Sequence, residues 1–133
     1  MTLNQLTLPS LDLIRGIAFY EMLGLQLIVK ALPHYARFVV PDGKTTLSLH
    51  LMEALPTGPR VSIYFECTDL DDRVAALCAK GLVFDEPPTD KRWLWREARL
   101  RDPDGNQLVL YFAGEHRLDP PWRVGEGSDD GAK

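Results

Sequence analysis

Few side chains in this 133-residue sequence could move a proton or hold a ligand, and their spacing sorts them. His50 sits in the run Leu47-Ser48-Leu49-His50-Leu51-Met52. Strand alternation sets Leu47, Leu49 and Leu51 on one face and Ser48, His50 and Met52 on the other. An imidazole so placed can ligate a metal, or transfer a proton near neutral pH. Ser62, Tyr64 and Glu66 share one face of a second run, with Glu66 about 13 Å beyond Ser62 at about 3.3 Å per residue. Its carboxylate is the other candidate general base. Trp93, Trp95 and Arg96 would suit a planar or anionic ligand, by stacking and by charge-assisted hydrogen bonds. Tyr64 and Tyr111 would add aromatic lining.

These residues must be held by something, and the chain offers mostly strands. The stretch Arg101 to Phe112 reads as a hairpin, Asp-Pro-Asp-Gly supplying the turn and Leu108-Val109-Leu110-Tyr111-Phe112 a strand. A strand from about Trp93 to Arg101 feeds it. An equivalent Pro41-Asp42-Gly43 turn lies between Tyr35–Val40 and Thr45–Met52. Before these come a strand over Leu3–Leu8 ended by Pro9, a helix opened by Ser10 and Asp12 and stopped by Gly24, and a strand over Leu25–Lys30. Pro56-Thr57-Gly58-Pro59 is a linker, after which the pattern recurs. Ser62–Thr68 is a strand, Asp69 caps a helix with the stripe Leu70, Val74, Leu77 and Cys78, and Gly81 stops it. Leu82-Val83-Phe84 then begins a strand, and Pro87-Pro88-Thr89-Asp90 forms a loop. Gln5 to Ser62, Asp12 to Asp69 and Gly24 to Gly81 are each 57 residues apart, which marks an internal βαβββ duplication.

Composition excludes several functions. A formal net charge of −4 with no Lys/Arg block leaves no basic face for nucleic acid. No apolar run reaches about eighteen residues and no signal peptide is evident, which predicts no membrane partner and a cytoplasmic location. Two cysteines are too few for a disulfide framework, and both are expected in or near the core. Trp122, after two prolines, is expected to anchor the tail. His34 and His116 are expected at the surface. Residues Gly125–Lys133 are expected to be disordered.

The two βαβββ units, Asp-Leu at each helix start, Phe19-Tyr20 within the first helix, Leu23-Gly24-Leu25 at its end and Asp-Pro-Asp-Gly-Asn before the last strand resemble the vicinal oxygen chelate superfamily. Glyoxalase I, bleomycin-resistance proteins and extradiol dioxygenases belong to that group. The resemblance implies an α+β fold in which two βαβββ modules (2–54 and 60–112, within a domain of 1–113 followed by a tail of 114–133) form a curled mixed-sheet cup with helices outside. It further implies a homodimer, and in metal-dependent members four ligands from the first and last strands of each module. The matching slots here read Gln5, His50, Ser62 and Val109. Valine has no donor atom and a serine hydroxyl is a poor transition-metal ligand, so no cofactor is expected at the usual place. A divalent ion is left only a divergent site, such as one using Gln5, His50 and Glu66. Two functions lead, ahead of a module that serves only dimeric assembly. One is a binding protein that takes a small aromatic or amphiphilic ligand among Gln5, Ser48, Ser62, Tyr64, Trp93, Trp95, Arg96, Val109 and Tyr111. The other is a glyoxalase-like lyase or isomerase, or a dioxygenase relative, with His50 or Glu66 as general base.

Overall fold

A computed structural model describes residues 1–125. Its element order is β1 (Gln5–Ser10), α1 (Leu13–Leu23), β2 (Gln26–Ala31), β3 (Tyr35–Val39), β4 (Thr46–Leu51), β5 (Ser62–Glu66), α2 (Leu70–Ala79), β6 (Glu86–Asp90), β7 (Arg96–Arg101) and β8 (Gln107–Phe112). A short 3-10 turn over Gly114–Arg117 follows. The order is βαβββ twice, in two four-stranded sheets, β1-β4-β3-β2 and β5-β8-β7-β6. Both helix starts, Leu13 and Leu70, and both left-handed glycines, Gly24 and Gly81, keep the sequence offset. The disorder expected at the chain end falls, apart from Gly125, outside the described residues.

Two compact units divide the chain: residues 1–61 with 101–107, and residues 62–100 with 108 onward. In the first unit β1 and β4 run parallel, and β3 pairs antiparallel with both β4 and β2. Helix α1 is capped by Asp12, whose carboxylate accepts from the Arg15 amide at 3.2 Å. The helix buries Leu13, Gly16, Ile17, Tyr20 and Leu23, while the sheet contributes Leu8, Ala36, Phe38, Leu47 and Leu49 to the core. Gly16 permits the close approach, because a Cβ there would lie 2.7 Å from Leu49 Cδ1.

The Asp-Pro-Asp-Gly-Asn turn belongs to this first unit and is tied to its helix. Asp102 accepts from the Tyr20 hydroxyl at 2.6 Å, from the amides of Asp104 and Asn106 at 2.9 Å each, and from Asn106 Nδ2 at 2.8 Å. Asp104 accepts from the Leu11 amide at 2.8 Å and from Arg15 at 3.3 Å. A turn motif that advertises itself by its backbone requirements thus also serves as a clasp through its side chains.

Several local expectations are corrected. Strand β1 runs through Pro9 and ends at Ser10. Pro9 is tolerated because β1 lies at a sheet edge, where a missing N–H costs no ladder bond. Leu82–Phe84 is not a strand, and Val83 is 81% exposed. The strand is instead Glu86–Asp90, the segment read as a loop, and its prolines again sit on an edge. Trp93 and Trp95 precede β7 instead of alternating within it. They flank a tight turn in which Leu94 takes φ 68° and its amide donates to the Lys91 carbonyl. Asp69 makes no side-chain cap bond and pairs with Arg73. Cys67 is buried, but Cys78 is exposed.

Candidate functional site

In the first unit, the sheet face turned away from α1 carries polar side chains in register. Tyr35 lies opposite His50, Arg37 opposite Ser48, and Val39 opposite Thr46 on neighbouring antiparallel strands. Gln5 comes from the parallel strand beside Thr46. Ser48, fully buried, receives Gln5 Nε2 at 2.7 Å and lies 2.6 Å from the Tyr35 hydroxyl. Arg37 Nε donates to that hydroxyl at 2.9 Å, and the guanidinium carbon sits 5.4 Å above the Tyr35 ring. The oxygen of the same Gln5 amide accepts from Thr46. The Ser48 hydrogen bond pulls the Tyr35 phenol below its ordinary pKa; slight burial opposes this, and Arg37 adds to the lowering. Strand alternation put Ser48 and His50 on one face, and the family resemblance brought in Gln5, which bonds Ser48. Neither singled out Tyr35 and Arg37, whose signal was only their two-residue spacing on β3.

The second unit builds an aromatic cluster. Trp95 stacks on Tyr111 with centroids 4.7 Å apart and planes 22° apart, and Tyr64 meets both rings edge-on at 6.0 and 5.4 Å. Val109 and Ala113 complete this small core, with Val109 fully buried. Burial and the neighbouring Glu66 carboxylate raise the Tyr111 phenol. Trp95 Nε1 donates to the His116 carbonyl at 3.4 Å, which fixes one ring edge against the 3-10 turn. Trp122, the expected tail anchor, is half-buried.

Trp93 goes elsewhere. Its Nε1 donates at 2.7 Å to Glu97, a fully buried carboxylate whose other oxygen accepts from Arg99 at 2.8 Å. Burial alone would lower the Arg99 pKa, but the Glu97 hydrogen bond and charge outweigh it and the net shift is upward. Glu97 gave no sequence signal, since a carboxylate in an alternating strand normally faces water. Arg96 bonds Asp71 at 2.9 and 3.0 Å and Asp90 at 2.9 Å, so its fork already serves two carboxylates. Glu66 accepts the amides of Ala113 and Gly114 at 2.9 Å each and lies 3.5 Å from Arg117. It ties down the start of the tail. Ser62 is half-buried on β5, and His50 is exposed.

Among the described residues no three His, Cys, Asp or Glu side chains group as a metal site would require. No helix there is long and apolar enough to cross a membrane.

The family model described as the glyoxalase/bleomycin resistance protein/dioxygenase superfamily matches residues 2–110. A solved member of that description from Nocardioides is 25% identical, with TM-score 0.73 over 94% of this chain and 90% of its own. A bleomycin-binding protein solved with bleomycin superposes at TM-score 0.68 and 22% identity, over 84% of this chain and 98% of its own. A lactoylglutathione lyase from Agrobacterium tumefaciens reaches 0.70 at 17% identity, over 84% and 92%. At these identities the last two share the fold alone. No curated protein matches the sequence.

Proposed function

We propose, from the premise that the chain belongs to the glyoxalase/bleomycin resistance protein/dioxygenase superfamily, that it binds a small aromatic or amphiphilic molecule on the helix-free faces of its sheets. The observation that carries this reading is the Trp95–Tyr111–Tyr64 cluster, a stacked pair with a third ring edge-on. Aromatic walls with a few placed polar groups are what small-ligand sites are made of. The first sheet carries a polar row of its own, Gln5, Ser48, Tyr35 and Arg37.

A metal centre of the kind found in metal-dependent relatives does not fit the donors present. Val109 is hydrocarbon packed against Trp95, Ser62 offers a weakly ligating hydroxyl, and Gln5 spends its amide on Ser48 and Thr46. His50 alone offers a strong donor. The divergent set of Gln5, His50 and Glu66 is weakened because Glu66 already accepts two backbone amides.

A lyase or isomerase remains the second reading. It is favoured by His50 lying directly across from Tyr35, which puts two groups able to exchange a proton on one face. A homodimer suits the mostly apolar groove of the first unit, lined by Leu11, Leu13, Ile14, Leu32, Pro33 and Leu51 together with Asp12. A reducing, cytoplasmic setting suits two unpaired cysteines.

Titration of the protein with planar aromatic compounds, read by tryptophan fluorescence, tests the leading reading. Saturable quenching that is lost in Trp95→Ala supports it. Quenching unchanged in that variant contradicts it.

A further inference from the structure

The hydroxyl protons of Ser48 and Tyr35 on the first sheet follow from the partners around them. Gln5 Nε2 lies 3.3 Å from the Leu6 carbonyl, which fixes this end of the amide as the donor. Ser48 Oγ must therefore accept from Gln5, at 2.7 Å. Ser48 is wholly buried, so its own proton needs an acceptor, and the Tyr35 oxygen at 2.6 Å provides one. If Tyr35 donated to Ser48 instead, the buried serine proton would be left with nothing to meet. The Tyr35 oxygen thus accepts twice, from Ser48 and from Arg37 Nε at 2.9 Å. Its proton is turned outward from the network. The lowering of the Tyr35 pKa by Ser48 agrees with that direction of donation.

Arg37 adds to the same imbalance. Arg15, Arg73, Arg96, Arg99, Arg117 and Arg123 each lie within 4 Å of a carboxylate. Among the described residues Arg37 meets none, and its terminal nitrogens make no hydrogen bond that the structure shows. The half-buried guanidinium is instead held by stacking over Tyr35, with only its Nε spent on a neutral oxygen. The face therefore presents a hydroxyl proton and the terminal guanidinium nitrogens of the neighbouring Arg37, all of them donors. A planar acceptor with two oxygens satisfies such a fork in both directions.

We propose that Tyr35 and Arg37, oriented through the Gln5–Ser48 relay, form a subsite for a carboxylate on the first unit's sheet. The proposal rests on the reading that this protein binds small aromatic or amphiphilic molecules on its helix-free sheet faces, and it names the group that the first unit's face would take.

Matched pairs of aromatic carboxylates and their primary amides (benzoate and benzamide, phenylacetate and phenylacetamide, 2-naphthoate and 2-naphthamide) separate the two ideas. Affinities are measured by calorimetry on the full chain. The native protein should take each carboxylate roughly tenfold or more tighter than its amide, the scale of a charge-assisted hydrogen bond. Arg37→Gln should erase that preference while leaving amide affinity unchanged, and Arg37→Lys should restore only part of it. Tyr35→Phe should weaken the carboxylate alone, by several-fold. Carboxylate binding should also raise the Tyr35 phenol pKa in an ultraviolet titration. Equal affinity for acid and amide, or a preference that persists in Arg37→Gln, would overturn the carboxylate subsite while leaving aromatic binding intact. If neither member of any pair binds, both ideas fall.

Discussion

Removing the Asp102 carboxylate should be among the most costly single changes to the first unit. Asp102 is 5% exposed and accepts four hydrogen bonds, from the Tyr20 hydroxyl, the Asp104 and Asn106 amides, and the Asn106 side chain. Asp102→Ala leaves all four donors without that acceptor in a site with little access to water. An orphaned buried donor costs about 1 to 3 kcal/mol, and partial rehydration of an opened turn recovers some of it, so a loss of about 3 kcal/mol or more is expected. At about 2.1 cal/mol/K per residue of unfolding entropy, that corresponds to a drop of roughly 10 °C in Tm. Tyr20→Phe removes one of the four bonds and should cost about 1 kcal/mol. In the Asp102→Ala background the same change should cost almost nothing, because its partner is already gone. The assay is urea and thermal unfolding of native protein, both single variants and the double variant, followed by circular dichroism. An Asp102→Ala variant within 0.5 kcal/mol of native, or strictly additive single effects, would refute the clasp. A pH arm checks the same bond. Burial, and then the Asp102 charge, push the Tyr20 phenol far above its ordinary value. The unfolded chain then loses this proton first, so stability should hold below about pH 10 and fall above it, with a shallower fall in Tyr20→Phe.

Two further variants test the packing. Gly16→Ala places a methyl 2.7 Å from the fully buried Leu49 side chain and should destabilise by about 1 to 3 kcal/mol in the same unfolding assay. Leu94→Gly should stabilise by about 0.5 to 1 kcal/mol, because Leu94 holds φ 68° while remaining 45% exposed; a loss of stability would show that its side chain matters more than its backbone.

Much of the fold was legible because it is written in backbone chemistry. The left-handed glycines at 24 and 81 and the Asp-Pro-Asp-Gly-Asn turn carry φ requirements that few residues meet, and the 57-residue offset that Gly24 and Gly81 share with Asp12 and Asp69 exposed the duplication. The alternation of Leu47 and Leu49 with Ser48 and His50 likewise gave the correct faces of β4. Edge strands were harder. Pro87-Pro88 reads as a breaker, yet an edge needs no ladder bond on its outer side, so position in the sheet overrode local propensity. The Trp93–Trp95 spacing misled for a related reason. Two-residue spacing implies a shared face only inside a strand, and a turn at Leu94 sends one indole to Glu97 and the other to Tyr111. Glu97 depends on the turn that brings Trp93 back to it, and the Arg37–Tyr35–Ser48 relay on a pairing between strands. Cross-strand register is not written in either strand alone.

The proposed binding of an organic ligand by aromatic and polar side chains requires no resident metal ion. Its most direct test is fluorescence titration of the protein with its tightest aromatic carboxylate, before and after exhaustive treatment with a chelator. Unchanged saturable binding after chelation, lost in Trp95→Ala, is the predicted result. Binding that vanishes on chelation and returns with zinc or nickel would contradict the account.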